Sequence, residues 1–222
     1  MPDSGKPARQ LVVLLHGYGS NGDDLIGLAP YFSQALPDAA FYSPHAPEPW
    51  EGGMFGGRQW FSLAGYDPEA FRRNPETMAG LERSFFDGAT RSAEALNTFM
   101  DRILSEHGIA ARQLALIGFS QGTMMALHTA PRRADALGGV VGFSGAIVSG
   151  DRLAGEAKSR PPFLLVHGDA DPVVPVEALD EVQKALQSAR IPFQSHVVPD
   201  LQHGIDPTGA ALAAQFLREK LL

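Results

Sequence analysis

The stretch that most limits how this chain can fold is Leu114-Ala-Leu-Ile-Gly-Phe-Ser-Gln-Gly-Thr-Met-Met-Ala-Leu127. Residues 114–117 are continuously apolar, as expected of a strand buried on both faces. Residues 121–130 read as a helix that Pro131 stops. The chain must therefore turn from strand to helix within about three residues, which forces Ser120 into a strained conformation with its Oγ above the sheet edge. Gly118 and Gly122 suit a place where side chains would collide as strand and helix cross closely.

A doubly buried strand needs parallel neighbours. Residues 11–15, 139–143 and 163–166 have the same unbroken apolar character, and 39–43 and 193–198 are weaker candidates. Helical segments are expected between them at 23–36, 81–107, 121–130, 176–189 and 209–222. The second is strongly amphipathic, with Phe85, Phe86, Ala89, Ala93, Leu96, Met100 and Ile103 on one stripe. Strands alternating with helices give an α/β fold, here one domain over residues 1–222 with a mostly parallel central sheet covered on both faces. Residues 1–9 are expected to be a flexible N-terminus. Residues 44–75 break the alternation with glycines, prolines and aromatics, and a loop of that length in a compact domain is usually functional.

Composition removes several function classes. The net charge of -7 is spread along the chain, which disfavours nucleic acid and anionic membrane as partners. No cysteine is present, so disulfides, thiolate metal sites and cysteine nucleophiles are excluded. The longest purely aliphatic run, 11–15, is far too short to cross a membrane, and no signal peptide is recognisable, so a cytoplasmic protein is expected.

The chemistry follows from placing the loops. Gly142-Phe143-Ser144-Gly145-Ala146 also ends a buried strand, but it has Ala146 where a second glycine belongs and no long helix after it. Ser144 is therefore expected to be a strand-end serine satisfied by local backbone, leaving Ser120 as the nucleophile. In a strand–turn–helix hydrolase the order along the chain is Ser, then Asp or Glu, then His. His128 lies on the helix after Ser120, His167 closes a strand and His196 sits inside one. His203, in the Pro199-Asp-Leu-Gln-His-Gly204 loop, is free to reach over the sheet edge as the base. For the acid, Asp169 and Asp171 both qualify by position. Asp171 is favoured because Pro172 holds it extended, with Asp169 left to brace the turn. Leu14-Leu-His-Gly-Tyr-Gly-Ser-Asn-Gly22 supplies a glycine-flanked turn at a strand end. Its Tyr18 N–H, with that of Gln121, would form an oxyanion hole. The same glycines loosely match a dinucleotide fingerprint, but no acidic residue ends a strand about 20 residues on, where a ribose contact is required.

These four motifs, Leu-His-Gly-Tyr-Gly, Gly-Phe-Ser-Gln-Gly, His-Gly-Asp-Ala-Asp-Pro-Val-Val-Pro and Gln-His-Gly, resemble the phospholipase/carboxylesterase family in sequence and order, over nearly the whole chain. The resemblance implies a small α/β-hydrolase without a large lid domain. It implies a Ser120, Asp171, His203 triad and backbone donors at Tyr18 and Gln121, with residues 56–61 beside an acyl pocket. Met54, Phe55, Trp60 and Phe61, with Trp50, are expected to form an apolar wall for an acyl group. The expected function is hydrolysis of small or acyl-chain carboxylic esters, without metal or cofactor. A thioesterase or lysophospholipase with the same triad is the nearest alternative, and a non-catalytic binder that kept the fold is the alternative from another class. The partner is a small-molecule ester. Apolar surface around the long loop would serve either substrate or a second subunit, so a homodimer is also an expectation.

Overall fold

The computed structural model describes residues 2–53, 56–65 and 78–222. Along the chain, the strands are β1 (Gln10–Leu15), β2 (Ala39–Tyr42), β3 (Glu48–Pro49), β4 (Arg58–Gln59), β5 (Leu114–Phe119), β6 (Gly139–Phe143), β7 (Phe163–Gly168) and β8 (Phe193–Val198). Six of them form one sheet in the order β2-β1-β5-β6-β7-β8. Every pairing in it is parallel. The two runs with the weaker apolar signal are the two edge strands. β8 shows why, since most of its residues are exposed or half-buried while β1 and β7 are buried throughout. An edge strand has one neighbour and less covering, so it tolerates Gln194, Ser195 and His196.

Helices cover both faces. Met78–His107, Gln121–Thr129 and Glu177–Ser188 pack on one side, where Leu96, Met100, Met125, Leu127, Val182 and Leu186 join one core cluster. Pro207–Leu221 and the short helices after β1 cover the other side, with Phe32, Leu36, Phe216 and Leu217 in a second cluster. Strand order reverses between β1 and β5, because β1 is followed by β2 on one side and the chain then crosses back to β5. The carboxyl ends of these two strands flank the crevice where open α/β sheets bind ligands. None of the described helices is long and apolar enough to cross a membrane.

The single helix expected over 23–36 is broken into Gly22–Leu25, a 3₁₀ turn at Ile26–Leu28, and Ala29–Ser33. Asn21 starts it early by accepting the Asp23 N–H at 2.9 Å. Pro30 then interrupts it, since proline has no N–H to return to the Ile26 carbonyl and its ring crowds that oxygen. The start of the last helix also moves, to Pro207, with Asp206 accepting from Thr208 and Gly209 N–H. Near the N-terminus, Ser4 N–H donates to Pro37 O, Arg9 N–H to Asp38 O, and Ser33 Oγ to Asp3.

Candidate active site

Ser120 sits at φ 53, ψ -117, between the last residue of β5 and the first of the Gln121–Thr129 helix. For a non-glycine residue this is a strained conformation that surrounding structure must hold in place. Three backbone bonds do so: Ser120 N–H donates to Phe143 O at 2.9 Å, and Ser120 O accepts from Thr123 N–H at 2.9 Å and from Met124 N–H at 3.2 Å. The flanking glycines have separate reasons. A Cβ on Gly118 would strike the Gly122–Thr123 backbone, whereas one on Gly122 would strike the carbonyl of Leu15 at the end of β1. The elbow is thus pressed onto two strands at once, and a side chain on Gly17 would press on Phe119 and Ser120.

Asp171 and His203 are brought together. His203 Nδ1 and Asp171 Oδ2 lie 2.7 Å apart. The other carboxylate oxygen accepts from Val173 and Val174 N–H at 2.8 and 2.9 Å, and the acid's side chain has no exposed surface. Buried carboxylates persist where donors saturate them in this way. Asp169 has the bracing part: its Oδ1 accepts from Asp200 N–H at 2.7 Å, and Ala170 N–H donates to Leu201 O. These bonds knit the loop after β7 to the loop carrying His203. His167, expected only to close its strand, props the acid loop from below by donating Nε2–H to Val174 O at 2.8 Å. The His203 ring lies 4.8 Å from that of Phe119, the residue before Ser120.

The turn after β1 is tied to the long loop. Gly19 N–H donates to Arg58 O and Arg58 N–H to Ser20 O, while the Tyr18 hydroxyl donates to Glu51. Burial, and then the bond to Glu51, push the Tyr18 hydroxyl up to about 12. His16, fully buried, donates Nδ1–H to Gly17 O and accepts Ala46 N–H on Nε2. Burial lowers its pKa, in keeping with a neutral ring. The Gln121 side chain does work that its sequence position did not advertise. Its Oε1 accepts Trp60 N–H at 2.9 Å and its Nε2 donates to Phe61 O at 2.7 Å.

Trp60 and Phe61 are 2% and 1% exposed, members of the main core cluster. Trp60 Nε1–H donates to His16 O at 3.0 Å. They lie beneath the loop rather than on an open wall. Met54 and Phe55 lie outside the described residues. Trp50 is half-buried and stands edge-on to Tyr18, their centroids 5.9 Å apart. Ser144 departs from expectation in one respect: it is 1% exposed, and its Oγ has no hydrogen-bond partner among the described residues. His128 is buried too, and burial, with Arg132 adding to it, lowers its pKa to about 4. His196 is a ladder residue opposite Val166.

Comparison with known proteins identifies relatives of this chain. The sequence pattern of the phospholipase/carboxylesterase family matches residues 2–221. The Escherichia coli K12 protein called esterase YpfH is 31% identical over 216 residues, covering 96% of this chain and 84% of its own. Acyl-protein thioesterase 1 of Saccharomyces cerevisiae is 28% identical, with coverage of 97% and 95%. The crystal structure of esterase PE8 aligns with a TM-score of 0.88 at 36% identity, over 100% of this chain and 97% of that one. Arabidopsis thaliana SOBER1, at 21% identity and a TM-score of 0.77 over 97% of this chain and all of that one, shares the fold.

Proposed function

The chain belongs to the phospholipase/carboxylesterase family of α/β-hydrolases, and on that ground we propose that it is a serine carboxylesterase working through an acyl-enzyme on Ser120. The observation that carries the proposal is the Asp171–His203 pair, bonded through Nδ1 and packed on the residue next to a strained, half-buried serine. With Nδ1–H committed to Asp171, Nε2 is the ring nitrogen left to act as base. Ser120 Oγ attacks the ester carbonyl and passes its proton to Nε2. The tetrahedral oxyanion takes hydrogen bonds from Tyr18 and Gln121 N–H. The C–O bond to the alcohol then breaks as Nε2–H protonates the leaving oxygen, and water repeats the cycle on the acyl-enzyme. Asp171 stabilises the imidazolium formed at each transfer. Trp60 and Phe61, buried in the core and bonded to the Gln121 side chain, support the site from beneath, and Met54 and Phe55 are proposed as substrate contacts.

In this reading the substrate is a small-molecule carboxylic ester and the protein acts in the cytoplasm, with no metal or cofactor in the chemistry. The nearest alternative, a thioesterase, is supported by the yeast relative's name and uses the same residues. Hydrolysis of p-nitrophenyl esters of graded acyl length, set beside acyl-CoA and an S-acylated peptide, separates the two. Higher kcat/KM on at least one ester is expected. Thioesters cleaved faster than every ester would overturn the esterase assignment.

A further inference from the structure

Backbone bonds hold the turn around Tyr18: Ser20 N–H donates to Gly17 O at 3.2 Å, and Gly19 N–H donates to Arg58 O at 2.9 Å. Glycine stands on either side of Tyr18, with Gly19 at φ 80, so the side chain is the tie that Tyr18 itself makes to a distant segment. That side chain ends on Glu51, 33 residues away. Glu51 is itself held from several directions. It accepts from Ser62 Oγ at 2.6 Å and from Leu63 N–H at 3.1 Å, and its own N–H donates to Gln59 Oε1 at 2.9 Å. The carboxylate's bonded partners are neutral donors, which makes the cluster a set of directional contacts rather than an ion pair. The second oxyanion donor, Gln121, has its side chain fixed by Trp60 and Phe61 of the same stretch. Glu51, Trp60 and Phe61 therefore tie the side chains of both donor residues to the same loop.

We propose that Glu51 is a positioning residue for the oxyanion hole, acting through the Tyr18 hydroxyl to aim the Tyr18 backbone N–H. This rests on the reading of Ser120 as nucleophile and of Tyr18 N–H as donor. Such donors lose their effect when displaced by about half an ångström, so an anchor at the far end of the side chain acts on rate rather than on binding. Both partners keep the protonation states of this bond at neutral pH. Burial works to raise the Glu51 pKa, but the donors from Ser62, Tyr18 and Leu63 outweigh it and keep the group a carboxylate, while the phenol stays protonated.

The test compares Tyr18→Phe, Glu51→Ala, Glu51→Gln and the double variant Tyr18→Phe/Glu51→Ala on p-nitrophenyl acetate, with active sites counted by end-point fluorophosphonate labelling. Tyr18→Phe and Glu51→Ala are each expected to lower kcat about tenfold with KM within about twofold, since a displaced donor loses part of what deletion would. The double variant should be no worse than either single one, because both remove the same bond. Glu51→Gln keeps an oxygen for the phenol and should recover most of the rate, which a purely structural role would not require. Unchanged kcat, a loss confined to KM, or losses that multiply in the double variant would each overturn the proposal. Ser120→Ala, run alongside, keeps the two failures apart. If it stays active the underlying mechanism is wrong, and if it is inactive while the Glu51 variants behave as wild type, only the positioning role falls.

Discussion

Ser120 and Ser144 end neighbouring parallel strands, and both hold the backbone at positive φ, 53 and 45. Each is hydrogen-bonded to the next strand over: Ser120 N–H to Phe143 O, Ser144 N–H to Val166 O. Backbone strain therefore does not distinguish them. Their surroundings do. Ser120 opens a nine-residue helix, is half-buried, and has the Asp171–His203 pair packed on its neighbour Phe119. Ser144 is followed by Gly145 and a loop, is almost fully enclosed, and has an unpartnered hydroxyl among the described residues. In the proposed mechanism the two serines differ in that a helix start and a base meet at Ser120 and not at Ser144. Thr123 joins the two turns. Its hydroxyl donates to Phe143 O at 2.8 Å, and its side chain fills the space that a Cβ on Gly142 or Gly145 would need.

Removing each hydroxyl in turn should separate the two serines most widely. Ser120→Ala should lower kcat on p-nitrophenyl acetate by about 10⁴-fold or more, as loss of a covalent nucleophile does. Ser144→Ala should leave kcat within about twofold. A large loss in the second variant would mean that the buried serine takes part.

The coupling through Thr123 predicts an intermediate effect. Gly145→Ala should destabilise the protein by about 2 kcal/mol through overpacking. In a Thr123→Gly background most of that cost should vanish, because the side chain in the way is gone. Urea unfolding of the four proteins gives the cycle, and strictly additive losses would show that the turns are not in contact in solution.

A smaller effect concerns another buried polar atom, on the elbow helix itself. His128 Nδ1 also lacks a partner among the described residues. Folded His128 remains neutral down to about pH 4, whereas the unfolded residue takes up a proton near its reference value of about 6.5. The unfolded state therefore binds more protons in that window, and stability falls as pH drops through it, by up to about 3 kcal/mol from this residue. His128→Gln should lose less between those pH values, with catalysis at neutral pH unaltered. Equal slopes for the two proteins in urea titrations would show that His128 is not the group responsible.

Much of this architecture is legible in local pattern. The runs at 11–15, 114–117, 139–143 and 163–166 are unbroken because those strands are covered on both faces, and that property is visible in a few residues. Asp171 stands out because Pro172 follows it, and its pairing with His203 follows chain order. What stays hidden depends on contacts between distant segments. Gln121 reads as an ordinary first helical residue, yet its side chain clamps a loop 60 residues away. Glu51 reads as a loop charge, and nothing near it in sequence announces Tyr18. Trp60 and Phe61 look the same whether they line a pocket or fill a core, because apolar surface alone does not say what will cover it. Pro30 is the local signal against one unbroken helix over 23–36.

Reactivity is proposed to reside at the β5 turn and not at its neighbour. Treating the protein with a fluorophosphonate and mapping the added mass by peptide sequencing tests it directly. A single adduct on Ser120, gained in step with loss of esterase activity and absent from Ser144, is the expected result. An adduct on Ser144, or full activity with Ser120 modified, would contradict it.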